Sequence, residues 1–72
     1  MASQPMSLGE ALPKEMARVR DEILPEYVAL GFRGQFAAAF MRADLDAAAK
    51  ALAEGDTVRM MQVYESLKGY HL

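Results

Sequence analysis

Residues 34–53 limit the possible folds of this chain more than any other segment. Gly34 to Ala53 reads as one helix carrying more apolar surface than a single neighbour can cover. At about 100° per residue its side chains sort into three arcs. Arg42, Asp46, Lys50 and Glu54 follow one another at steps of four and form a charged ladder. Opposite charges at that spacing contribute only roughly a few tenths of a kcal/mol per pair, so the ladder reads as a solvated face. Met41, Leu45, Ala48 and Leu52, with Ala37 beside them, form a core stripe. Phe36, Phe40, Ala43, Ala47 and Ala51 form a second apolar stripe about a third of a turn away. Its small residues allow another backbone to approach closely, and its two phenylalanines supply most of the area it can bury.

Two arrangements satisfy both stripes. The flanking helices each cover one, or a second copy of the chain covers the stripe centred on Phe36 and Phe40. Composition tips the balance towards the second. The chain has 72 residues, and 13 of its apolar residues are alanine, which buries little area. A domain this small is marginal on its own core, and without cysteine it has no disulfide to help. Oligomerisation is the remaining device. Phe36, Phe40, Ala43, Ala47 and Ala51 are therefore the expected dimer interface.

Asp44 falls between the two apolar stripes. It sits at the rim of a continuous helix, caps a break in that helix, or pairs with a base such as Arg33. An unpaired buried carboxylate is excluded by its desolvation cost. The continuous helix is the preferred form.

Elsewhere the punctuation is local. Residues 1–7 are polar, contain Pro5 and read as a disordered tail. Residues 8–72 read as a single all-helical domain. Ser7-Leu8-Gly9-Glu10 matches a capping box, but Pro13 suits the first position of a helix. The box then marks a turn ahead of a helix beginning at Pro13. Leu12, Met16, Val19, Ile23, Tyr27 and Leu30 trace one helical stripe. Pro25 either kinks that helix or ends it near Leu24, with a further turn beyond. Gly31 suits a left-handed cap. Gly55 suits the C′ position of the second helix, and Asp56 the N-cap of a third running from Thr57 to about Lys68. Met60, Val63, Tyr64 and Leu67 form its stripe, with Met61 alongside. Gly69 stops it. No segment alternates with period two, so no strand is expected.

The chemistry-bearing residues are sparse. The single histidine, His71, lies next to the C-terminus, and with no cysteine the usual nucleophile–base pairs cannot be assembled. Asp44 and Asp46 point to different sides of a helix. Glu22 and Glu26 share a face with Arg18, which reads as a surface charge cluster. No glycine-rich phosphate loop is present. The expectation is a non-enzyme with no catalytic, cofactor-binding or metal-binding residues and no cofactor. The net charge of −2, and acids interleaved with Lys14, Arg18 and Arg20, argue against a nucleic-acid face. Tyr70, beyond Gly69, is the expected contact with a partner, since tyrosine is enriched at interfaces. Tyr27 and Tyr64 read as half-core. No secretory signal or membrane-spanning run is visible, so a cytoplasmic protein is expected.

Two resemblances rest on particular segments. Ala48 to Leu67, with Gly55-Asp56 at its hinge and Tyr64 on the following helix, resembles a tetratricopeptide-type helical hairpin, without the second copy a solenoid requires. Leu12-Pro13-Lys14-Glu15-Met16-Ala17-Arg18-Val19-Arg20 and the run from Asp44 to Asp56 resemble small uncharacterised all-helical proteins of proteobacteria and their prophages. That resemblance implies a bacterial or phage accessory protein and carries over no site residues.

The expected fold is therefore all-α: a small three-helix domain with a helical hairpin, completed as a homodimeric helical bundle. The expected function is a protein–protein interaction or oligomerisation module. The alternatives are a small regulator acting on nucleic acid or its binding proteins, and an accessory subunit of a larger enzyme or phage assembly.

Overall fold

The computed structural model describes residues 7–72. The expected tail, residues 1–7, lies outside the described residues except for Ser7. The described residues form helices and turns and no strand. Helix α1 (Leu8–Arg18), a π-helical turn (Val19–Ile23) and α2 (Leu24–Ala29) follow one another without a break. A 3-10 turn (Gly31–Gly34) leads into α3 (Gln35–Glu54), and α4 (Thr57–Lys68) closes the fold.

Helix α1 starts earlier than Pro13, which corrects the expected boundary. Ser7 is extended, and its carbonyl accepts the Glu10 and Ala11 amides at 3.0 and 2.8 Å. The Ser7 hydroxyl donates to Glu10 Oε1 at 2.9 Å. Ser7 thus stands at the start of the helix itself, but its hydroxyl bonds the Glu10 side chain and caps no amide, so the box is not formed; Pro13 lies inside the helix. Proline there leaves the Gly9 carbonyl without its helical partner. Gly9 and Pro13 are both exposed, so hydration replaces the lost bond.

Pro25 does not end the first helical run. It has no amide to offer the Asp21 carbonyl, and its ring crowds that carbonyl. The backbone widens immediately before it. The Leu24 amide bonds to the carbonyl of Val19, five residues back. This single π turn absorbs the misfit, a common way for a helix to continue past an irregularity. The stripe holds through it as far as Tyr27, with Leu12, Val19 and Ile23 buried and Met16, Leu24 and Tyr27 packed alongside, while Leu30, its last expected member, is exposed.

Gly31 is left-handed at φ 63°, as its position after the helix suggests. Gly34 has a different role. It is buried, and a Cβ built on it would lie 2.0 Å from the Tyr27 carbonyl oxygen. The turn between α2 and α3 closes tightly only because that residue has no side chain.

Helix α3 is continuous through Asp44. It ends at Gly55, left-handed at φ 66°, and the Asp56 side chain accepts the Arg59 amide at 3.0 Å to start α4. This is the hairpin that the Gly55-Asp56 pair implies. Helix α4 packs on both α3 and α1, while α2 packs on α3. The core is built from Leu12, Val19, Ile23, Met41, Ala48, Val63 and Leu67. Ala37, Leu45, Leu52, Met60 and Tyr64 pack against it. The Cα radius of gyration is 13.2 Å, against about 11 Å for a compact chain of this length. The three helical runs lie in an extended arrangement that leaves a large share of the apolar residues uncovered.

Candidate functional site

The exposed side of α3 follows from a difference in helix length. Helix α3 has 20 residues and α4 has 12, so they span about 30 Å and about 18 Å. They run antiparallel from the Gly55-Asp56 hairpin. Helix α4 therefore covers only the later part of α3, and its C-terminal extension reaches Asp44. The Tyr70 hydroxyl donates to Asp44 Oδ2 at 2.7 Å. Burial and this bond push the Tyr70 phenol up to about 12. Upstream of Asp44, Ala38 and Met41 are buried and Ala37 is half-buried, on the side of α3 that faces the core; α1, the π turn and α2 all pack on α3. The other side has no neighbour among the described residues.

The phenylalanines stand on that side. Phe36 is 70% exposed and Phe40 is 65% exposed. Phe32, in the 3-10 turn, is 79% exposed. All three phenylalanines of the chain are thus outside its core. Singly exposed apolar residues are ordinary, but bulky aromatics one helical turn apart mark an interaction surface.

The five residues of the second stripe part company. Phe36, Phe40 and Ala43 are exposed. Ala47 is half-buried, and Ala51 is buried at 1% exposure. Both lie where α4 runs alongside, so the chain itself covers the later end of the stripe. Tyr70 is half-buried, with its hydroxyl engaged by Asp44 within the same chain. Arg33 is exposed and is not the partner of Asp44.

Sequence reasoning missed Phe32 and the clasp around Tyr70. The spacing of Phe32, Phe36 and Phe40, four and four, was a signal for the first. The second joins residues far apart in the chain and has no local signal. Arg18 belongs to this clasp. Its Nη2 donates to the carbonyls of Leu67 at 3.1 Å and Tyr70 at 2.9 Å, while Nε bonds Glu15. The guanidinium thus adds a second donor to the Leu67 carbonyl, which also accepts the Tyr70 amide at 3.1 Å, and serves the Tyr70 carbonyl just beyond α4. The Tyr27 hydroxyl donates to the His71 carbonyl at 3.0 Å and holds the last residues against α2.

The charged groups are otherwise dispersed. Arg42, Asp46, Lys50 and Glu54 are exposed. Arg20 pairs with Asp21 through two hydrogen bonds, and these hold the Asp21 carboxyl below its ordinary value. His71 is exposed. Among the described residues no three His, Asp or Glu side chains converge as a metal site. None of the described helices is long and apolar enough to cross a membrane.

No protein-family model, curated protein or solved structure matches the chain.

Proposed function

We propose that this protein is a non-enzymatic helical interaction module that self-associates through the phenylalanine face of α3. The observation that carries the reading is the exposure of Phe36 and Phe40 on α3, with Phe32 in the turn before it, upstream of Asp44, where the segment following α4 makes its contact through Tyr70. Each buried phenylalanine contributes on the order of 1.5–3 kcal/mol. A chain this short gains substantially by covering three of them. The basic residues of the first helical run favour this reading over a nucleic-acid regulator. Arg18 is committed to Glu15 and two carbonyls, and Arg20 to Asp21. Of the basic patch formed by Lys14, Arg18 and Arg20, that leaves Lys14 to release counterions from a phosphate backbone. The resemblance to small proteobacterial and prophage proteins fits an accessory protein of that kind, acting in the cytoplasm.

Phe40→Asp is the direct test. Phe40 is exposed in the single chain, so the variant keeps its helical circular dichroism. It places a charge in the contact, and light scattering should then report monomer at concentrations where the parent chain is dimeric. A Phe40→Asp protein that remained a stable dimer would remove this face as the interface.

A further inference from the structure

Residues 69–72 follow α4 without helical structure, yet side chains tie them to three other helices. The Arg18 guanidinium of α1 donates to the Tyr70 carbonyl at 2.9 Å, and the Tyr27 hydroxyl of α2 donates to the His71 carbonyl at 3.0 Å. The Tyr70 hydroxyl donates to Asp44 of α3 at 2.7 Å. Tyr27 and Tyr70 also pack against the core.

Two of these attachments bracket the exposed part of α3. Asp44 lies one helical turn beyond Phe40, at the downstream end. Tyr27 stands at the upstream end. Its carbonyl accepts the Leu30 amide at 3.2 Å, and a Cβ on Gly34 would lie 2.0 Å from the carbonyl oxygen. The turn that carries Phe32 and starts α3 therefore rests on the backbone of the same residue whose hydroxyl holds His71. Through Tyr27 and Asp44, residues 69–72 reach both ends of the segment that presents Phe32, Phe36 and Phe40.

Resting on the self-association proposed above, we infer that residues 69–72 are a strap that controls that contact by holding the phenylalanine face in shape. With the strap attached, the turn between α2 and α3 is fixed before a second copy arrives. With it released, Tyr27 loses its anchor, and Phe32 and the first turn of α3 are ordered only on binding. That ordering subtracts from the affinity. Linkage makes the effect reciprocal: a bound second copy steadies the turn and keeps the strap in place. The strap is also the segment best placed to open. His71 and Leu72 are exposed, and the Tyr27–His71 bond lies in solvent. Local opening is easiest where backbone bonds are few and exposed.

Tyr27→Phe tests the strap, because it deletes the hydroxyl and keeps the ring that packs on the core. The tyrosine hydroxyls that bind the strap are those of Tyr27 and Tyr70, so Tyr64→Phe is the control. In dilute, monomeric Tyr27→Phe, amide exchange should quicken at Leu30, bonded to the Tyr27 carbonyl, and at Gln35, bonded to the Phe32 carbonyl. Exchange at Met60, bonded to the Asp56 carbonyl beside the hairpin, should stay as in the parent. Sedimentation over a concentration series should give a dissociation constant raised about two- to tenfold, the range that one net hydrogen bond supplies. Tyr64→Phe should match the parent in both measurements. A parental dissociation constant for Tyr27→Phe would overturn the strap's control and leave self-association standing, whether or not the turn exchanged faster. A raised constant without faster exchange at Leu30 and Gln35 would overturn it as well. So would exchange quickened equally at Met60, which is general loss of stability, or an equal effect from Tyr64→Phe. A parent chain monomeric at every concentration would overturn the self-association and the strap's control together.

Discussion

The Tyr70 hydroxyl lies 2.7 Å from Asp44 Oδ2 and joins the end of the chain to the middle of its longest helix. This bond explains why a carboxylate is tolerated between two apolar stripes. The desolvation that half-burial imposes on Asp44 is offset by a neutral donor rather than by a cation. It also sets how far along α3 the chain covers itself.

The phenol should report this environment on alkaline titration. Tyr70 is pushed up to about 12 from 10.0, so the folded chain holds its proton more tightly than the unfolded chain does. The resulting stabilisation is whole below about pH 10 and is lost as pH rises towards about 12. Ultraviolet absorbance of the folded chain should show a late ionisation step, above the ordinary tyrosine range, that the denatured chain lacks. Tyr70→Phe should remove the late step and cost about 1 kcal/mol at neutral pH in a denaturant titration. A step removed by Tyr70→Phe that lay at the ordinary tyrosine value of 10.0 would contradict the clasp.

Arg18 should not be replaceable by lysine. One guanidinium meets Glu15 and the carbonyls of Leu67 and Tyr70 together. A single ammonium on a flexible stem cannot reproduce that fork. Arg18→Lys should destabilise the fold by about 1–2 kcal/mol, the partial exposure of the site moderating the loss. Amide exchange should rise first at the end of α4. Unchanged protection there would show that the capping role is wrong.

Two glycines should respond in opposite directions to alanine. A Cβ at Gly34 would collide with the Tyr27 carbonyl at 2.0 Å, and that obstacle is backbone. Gly34→Ala should cost about 1–3 kcal/mol or more. At Gly9 the nearest atom is Ser7 Oγ at 3.9 Å. Gly9→Ala in a helix should be neutral or stabilising by up to about 1 kcal/mol. Melting temperatures of the two variants decide it; equal shifts would contradict the packing at the α2–α3 turn.

The features readable in the sequence are those whose cause is local. Gly55 and Asp56 carry their own conformational and hydrogen-bonding preferences, and the hairpin forms where they stand. The stripe from Leu12 to Tyr27 and the stripe of Met41, Leu45, Ala48 and Leu52 are periodic, and both face the core. Pro13 misled because its preference for a helix start was weighed without the exposure of Gly9, which lets a proline sit inside the helix. Ala51 and Phe36 occupy one stripe on the wheel yet differ in burial, since α4 reaches the first and not the second. A wheel gives angles around an axis. It does not show where along that axis a neighbour stops. The bonds of Tyr70 to Asp44 and of Arg18 to Leu67 span long stretches of chain and have no periodic signature.

The most direct test of the central claim is the solution mass of the unmodified chain over a concentration series, by sedimentation equilibrium. The three exposed phenylalanines offer about half of one partner's share of a standard interface, and area does not fix affinity, so the series has to span a wide range of concentration. From about 1 μM to about 1 mM the mass should rise from 7.9 kDa to twice that value and then level off. A mass that stayed at 7.9 kDa throughout would contradict the account.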